Sequence, residues 1–196
     1  IKIILKQSEE GLRVRVMGWV RTRRDSKGGF SFIEINDGSC LNNLQVIADH
    51  NIDDFKTTSE KLHTGCCVEI IGKLVNSPGK GQNLELQAFS VKVVGVADPE
   101  NYPLQKKNHS YEFLREIAHL RPRTNTFGAV MRVRNRLAYS IHQFFQDRGF
   151  IYLHTPIITT SDCEGAGEMF QVTTLNPGSP PMIDAKVDYG QDFFGE

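Results

Sequence analysis

The chain has 196 residues, with 23 Lys and Arg balanced by 23 Asp and Glu. That length allows one large domain or two modest ones with real cores, and a formal net charge of zero excludes a globally basic polyanion binder. No apolar run reaches bilayer-spanning length and the first residues have no signal-peptide pattern, so the expectation is a cytoplasmic protein with no membrane partner.

Charge is unevenly placed along this neutral chain. Residues 1–36 carry Lys2, Lys6, Arg13, Arg15, Arg21, Arg23, Arg24 and Lys27 against Glu9, Glu10, Asp25 and Glu34, and a local basic face can steer a polyanion. The chain opens on Ile1 rather than Met, so the native start is expected to precede it. Cys40, Cys66, Cys67 and Cys163 form no C-x-x-C pair, and the six histidines are scattered. Reduced thiols and no metal site are expected.

Strand signals fill the first half. From Leu12 to Arg23, Val14, Val16, Gly18 and Val20 alternate with Arg13, Arg15, Met17, Trp19 and Arg21. After a Ser26–Gly29 turn, Ser31, Ile33 and Ile35 alternate with Phe30, Phe32 and Glu34. Then come Asn43–Ala48, with Gln45 outward, a short helix over about Asp53–His63, and two longer strands, Cys66–Val75 and Leu84–Val96. The loop between those strands is rich in Gly and Pro, as a hairpin requires. Five strands with a helix between the third and fourth is the order of an OB-fold, a partly open β barrel that binds oligonucleotides. A five-stranded barrel with another role has the same element count.

Asp98–Pro103 reads as a linker. Beyond it, apolar residues from Phe127 to Phe145 recur every three or four positions, predicting an amphipathic helix over Asn125–Arg148. Thr124 or Asn125 would cap its start and Gly149 its end. A strand is expected at Phe150–Thr159; its Pro156 confines it to a sheet edge or a subunit boundary. A loop follows at Ser161–Gly167 and a short strand at Met169–Thr174. Residues from about 160 onward are expected to pack poorly without a covering partner.

Aromatic rings on an outward sheet face, ringed by Arg and Lys, suit single-stranded bases: rings stack on bases and guanidinium groups take phosphates. Phe32 is the expected stacking platform, with Gln45 and Glu85, both at outward strand positions, available to base edges. Trp19 is expected instead to close the barrel against the linker or second domain.

The stretch GWVRTRRDSKGGFSFIEINDGS resembles the anticodon-binding barrel of the class IIb aminoacyl-tRNA synthetases, which serve aspartate, asparagine and lysine. EFLREIAHLRPRTNTFGAVMRVRNRLAYSIHQFFQDRGFIYLHTPIITTSDCEGAGEMFQVTT is similar to the start of the catalytic domain in the asparaginyl branch, and SDCEGAGEMF is its most specific part. The resemblance implies an OB-fold β barrel over 1–97, a linker or hinge over 98–123, and over 124–196 an α+β segment, the start of a class II antiparallel-sheet catalytic domain. It implies that Phe32 stacks on the middle anticodon base and Gln45 reads that base's edge. Glu85 would recognise the first base, a guanine, and Arg24 would contact the loop. Pro156 falls in the first class II motif, at a homodimer interface. Glu164, Gly165 and Glu168 fall in a loop closing over the amino acid, where a glutamate meets the asparagine ammonium.

The family's activity is ATP-dependent attachment of asparagine to its tRNA, through an adenylate, with ATP and Mg2+. The second and third class II motifs, which hold ATP, do not occur in the 196 residues. The chain alone is therefore expected to be inactive and to bind neither ATP nor Mg2+, with no catalytic residue of its own. It is read as the N-terminal portion of a longer ligase. The alternatives are a non-catalytic RNA-binding OB-fold protein and an aspartyl-tRNA synthetase fragment, against which the SDCEGAGEMF loop argues.

Overall fold

The computed structural model describes residues 1–6, 10–53, 55–79, 81–159, 165 and 170–194. The chain divides into two compact units, 1–140 and 141–196. In the first, a short helix α1 (Lys2–Lys6) precedes five strands: β1 (Arg13–Asp25), β2 (Phe30–Asn36), β3 (Leu44–Asp49), β4 (Cys67–Asn76) and β5 (Leu84–Gly95). Helix α2 (Phe55–Ser59) lies between β3 and β4. The strands close into a barrel in the order β1-β2-β3-β5-β4. Every neighbouring pair is antiparallel except β3–β5, which is parallel.

The period-2 pattern decides which side chains fill the barrel. Val16, Val20, Ile33, Ile35, Leu44, Val46, Val68, Ile70, Leu74 and Leu86 are buried, each contributing roughly 1.5–3 kcal/mol by leaving water. The alternation expected of β1, β2 and β3 holds: Ser31 and Ala48 are buried as well, and only Val14, at the start of β1, is half-buried. Helix α2 is shorter than expected because Phe55 alone of its side chains is buried, and His50 stacks on that ring at 5.4 Å.

The stretch expected to be a bare linker carries structure. Helix α3 (Tyr111–Glu116) is capped by Ser110, whose hydroxyl accepts from the Phe113 N–H, and a 3-10 turn spans Arg121–Arg123. The Tyr102 ring packs over Gly65, where any Cβ would come within 2.6 Å of it. Trp19, 38% exposed, lies under the Arg123 guanidinium at 4.7 Å, so it faces the linker as expected.

Helix α4 (Asn125–Gln146) is the long helix of the sequence pattern. In the second unit it ends in a Schellman arrangement: Gly149 (φ +82) donates to the Gln146 carbonyl and Phe150 to that of Phe145. The expected strand at Phe150–Thr159 is not formed. A strand exists by pairing, and among the described residues none pairs with this stretch, whose side chains are all exposed. Nor is 170–174 a strand. The second unit instead holds a short hairpin, β6 (Met182–Ile183) with β7 (Lys186–Val187). Among the described residues, no helix is long and apolar enough to cross a membrane.

Candidate nucleic-acid interface

Barrel register gathers the expected site residues into two adjacent rows. Arg24 on β1 stands opposite Phe32 on β2, which stands opposite Ile47 on β3, itself paired with Gln87 on β5. One step along the strands, Thr22 stands opposite Glu34 and Glu34 opposite Gln45. The parallel β3–β5 pairing then sets Gln45 beside Glu85, and Gln45 Nε2 donates to Glu85 Oε1 at 3.0 Å. Strands lie about 4.8 Å apart, so each row crosses roughly 14 Å, enough for a few splayed nucleotides.

The side chains differ in readiness. Phe32 is half-buried, with the Arg24 guanidinium 4.7 Å from its ring centroid and Phe30 edge-on at 5.2 Å. Glu34 Oε2 accepts from Asn43 Nδ2 at 3.1 Å, which fixes the carboxylate in the second row. Arg21, next to the rows, donates to the Arg123 carbonyl, and burial pushes its guanidinium below the ordinary arginine value. At one end of the barrel, buried Ser31 donates to Asp25 at 2.5 Å, and Arg23 pairs with the same carboxylate at 3.0 Å. The Ser31 hydroxyl is the largest cause of the lowered Asp25 pKa, reinforced by Arg23 against the opposing effect of burial.

Glu85 departs from its expected exposed setting. It points away from the barrel core, yet is only 2% exposed, because residues of the β4–β5 loop cover it. Its Oε1 accepts from Ser77 Oγ at 2.6 Å and Gln82 Nε2 at 2.5 Å, besides Gln45. Oε2 accepts from none of these groups. Among the described residues no fully buried side-chain nitrogen or oxygen lacks a partner, so Oε2 keeps at least a small opening to solvent. Ser77 and Gln82 are functional candidates that the sequence pattern did not single out. Their only local signal is that they are polar residues flanking a Pro-Gly loop, and the partner they share is set by tertiary structure.

Of the other expected residues, Pro156 is exposed in an irregular segment and Gly165 has φ +63. Glu164 and Glu168 lie outside the described residues. Among the described residues, no group of three or more His, Cys, Asp or Glu side chains could hold a metal ion.

Two family profiles match the chain, the second running across the boundary between the two compact units. Residues 14–94 match the OB-fold nucleic acid binding domain, and residues 110–182 match the class II tRNA synthetases for D, K and N. The asparagine–tRNA ligase of Syntrophobacter fumaroxidans is 62% identical over 186 residues, which is 95% of this chain and 40% of the relative. That of a Picosynechococcus strain is 59% identical over all 196 residues, 42% of its length. The chain belongs to the asparagine–tRNA ligase family. It spans about two fifths of the length of these relatives. Among solved structures, asparaginyl-tRNA synthetase from Pyrococcus horikoshii complexed with asparaginyl-adenylate superposes with a TM-score of 0.73 at 23% identity, over 83% of this chain and 37% of that one. The Entamoeba histolytica enzyme gives 0.67 at 23% identity, over 78% and 37%. At that identity the likeness is one of fold: an OB barrel followed by the start of a class II synthetase domain.

Proposed function

We propose that this chain supplies the anticodon-reading part of an asparagine–tRNA ligase, and that the two rows on β1, β2, β3 and β5 are the reading surface. The observation that carries the proposal is the convergence of Arg24, Phe32, Gln45 and Glu85 on one barrel face. A splayed base stacks on Phe32 while Arg24 takes phosphate. Gln45 offers amide donor and acceptor to that base's edge. Glu85 Oε2 accepts from a guanine N–H, a donor that adenine and the pyrimidines do not present in the same place.

The parent activity we infer is ATP-dependent ligation of asparagine to its tRNA in the cytoplasm. Glu164, Gly165 and Glu168 would lie in the loop that meets the amino acid. ATP and its Mg2+ supply the activation of the carboxylate, and no residue described here is assigned to holding them. The 196 residues alone should therefore not make adenylate. The α4 residues Val130, Val133, Leu137 and Ile141 are exposed apolar positions at helical spacing. They support a homodimer that also uses Pro156.

Binding of this chain to anticodon stem-loops that differ only in the first anticodon base tests the reading. Guanine should bind tightest, and equal affinity for all four bases would refute it. Asparagine-dependent ATP–pyrophosphate exchange should be absent from the 196-residue chain and present in a chain extended to its relatives' length. Exchange by the short chain would overturn the assignment of inactivity.

A further inference from the structure

Among the described residues, three donors crowd one oxygen of Glu85 while the other takes none. An sp2 carboxylate oxygen has two lone pairs, yet Oε1 receives Gln45 Nε2, Ser77 Oγ and Gln82 Nε2 at 3.0, 2.6 and 2.5 Å. Guanine presents two adjacent donors on its Watson–Crick edge, N1–H and the N2 amino group, a pair that matches both oxygens of one carboxylate. Oε2 can take one of them as it stands. For Oε1 to take the other, a protein donor has to leave.

The three donors are not equally free to go. Gln45 belongs to β3, between two paired strands, and its amide lies in the row that a base must cover. Ser77 is fixed by its own surroundings: its N–H donates to the Asn83 carbonyl at 2.9 Å, and its Oγ accepts from the Gly79 N–H at 3.1 Å. Gln82 lies in the irregular loop outside both strands, and among the described residues its carboxamide nitrogen bonds only Glu85 and Ser77. Side-chain rotation releases both bonds without breaking a backbone one. Its –NH2 is also the same kind of donor as the guanine amino group.

We propose that Gln82 is an internal stand-in for guanine: it occupies Oε1 of Glu85 in the RNA-free protein and is displaced by the base's N2 amino group. The latch satisfies a covered carboxylate when no RNA is bound, and only a base with two adjacent donors gains both oxygens by opening it. Inosine, which lacks the N2 amino group, has nothing to exchange for Gln82. This inference rests on Glu85 reading the first anticodon base.

The test measures affinity of the 196-residue chain for stem-loops carrying guanine or inosine at that position. It compares the unaltered protein with Gln82→Ala, Gln82→Met and Glu85→Gln. Removing the competitor should tighten guanine binding roughly three- to tenfold in both Gln82 variants and leave inosine nearly unchanged, so the guanine-to-inosine ratio rises. Weaker or unchanged guanine binding in Gln82→Met, which keeps side-chain length without a donor, overturns the latch. Glu85→Gln separates the two levels. If it abolishes guanine preference while the Gln82 variants do not raise it, the stand-in fails and the reading of the site survives. If Glu85→Gln leaves preference intact, the reading of Glu85 itself fails.

Discussion

The guanidinium of Arg24 lies 4.7 Å from the centre of the Phe32 ring, directly across the β1–β2 pair. Each side chain thus holds the other on the barrel surface before any nucleic acid arrives, which lowers the ordering cost of a stacking platform.

Loss of the ring should remove a stacking surface worth roughly 1–3 kcal/mol per base. Phe32→Ala is therefore expected to weaken anticodon stem-loop binding by about tenfold or more, while Phe32→Tyr retains most of it. Arg24→Ala should weaken binding less and flatten its salt dependence, since a phosphate contact goes with it. In a double-mutant cycle the two losses should not add, because the residues touch. Strict additivity would show that the contact plays no part in binding.

These surface residues were legible in the sequence to different depths. The facing of Phe32 and Gln45 followed from period-2 alternation, which depends only on backbone geometry. The contact of Gln45 with Glu85 did not, because it depends on a parallel pairing of strands 40 residues apart. Ser77 and Gln82 were invisible for the same reason. At Phe150–Thr159, β-branched and aromatic residues suggested a strand, but strand propensity acts through neighbours, and no described strand pairs there. Helix α3 was missed although its capping Ser110 stood in plain view, because its single turn and a half buries only Leu114.

Arg123 ties the linker to the barrel through two contacts: it covers the Trp19 ring and accepts the Arg21 guanidinium on its carbonyl. Within the linker, its Nη1 donates to the Tyr102 hydroxyl at 3.2 Å. Trp19 is the only tryptophan in the chain, so its fluorescence reports this junction alone. Arg123→Ala should shift the emission to the red and cost about 1 kcal/mol of stability. Stem-loop binding by the Arg123→Ala chain should persist, since Trp19 lies outside the two rows. Unchanged emission would show that the stacked guanidinium does not shield the indole.

Asp192 gives the second unit a pH dependence of definite sign. The Thr173 hydroxyl first, then the Thr174 N–H and hydroxyl and the Phe194 N–H, pull its carboxyl from the ordinary 3.8 to about 2. A depressed acid stabilises the folded form fully above its unfolded pKa and loses that contribution as pH falls through the folded one. The segment around Thr174 should therefore loosen between about pH 4 and pH 2, seen as loss of protection of the Thr174 amide, which donates to Asp192 at 2.8 Å. Asp192→Asn should remove that transition, and a variant that keeps it would place the titrating group elsewhere.

Gly72 governs how closely β4 and β5 approach beneath the reading surface. A Cβ there would overlap the Gln87 carbonyl, at a register shift between Ile71 and Gly72, and Gln87 ends the row that begins at Arg24. Since the obstacle is backbone, no side chain can turn aside, and β5 has to move. Gly72→Ala should cost roughly 1–3 kcal/mol as an overpacking substitution. It should also reduce guanine preference, because Glu85 lies two residues along the displaced strand. Gly95→Ala on β5 is the matched control: its Cβ would meet only the Cys67 Cβ, at an ordinary 3.5 Å. Thermal melting and stem-loop binding of the two variants decide the matter. A lowered melting point with unaltered base preference would mean that β5 can shift without moving Glu85 against Gln45.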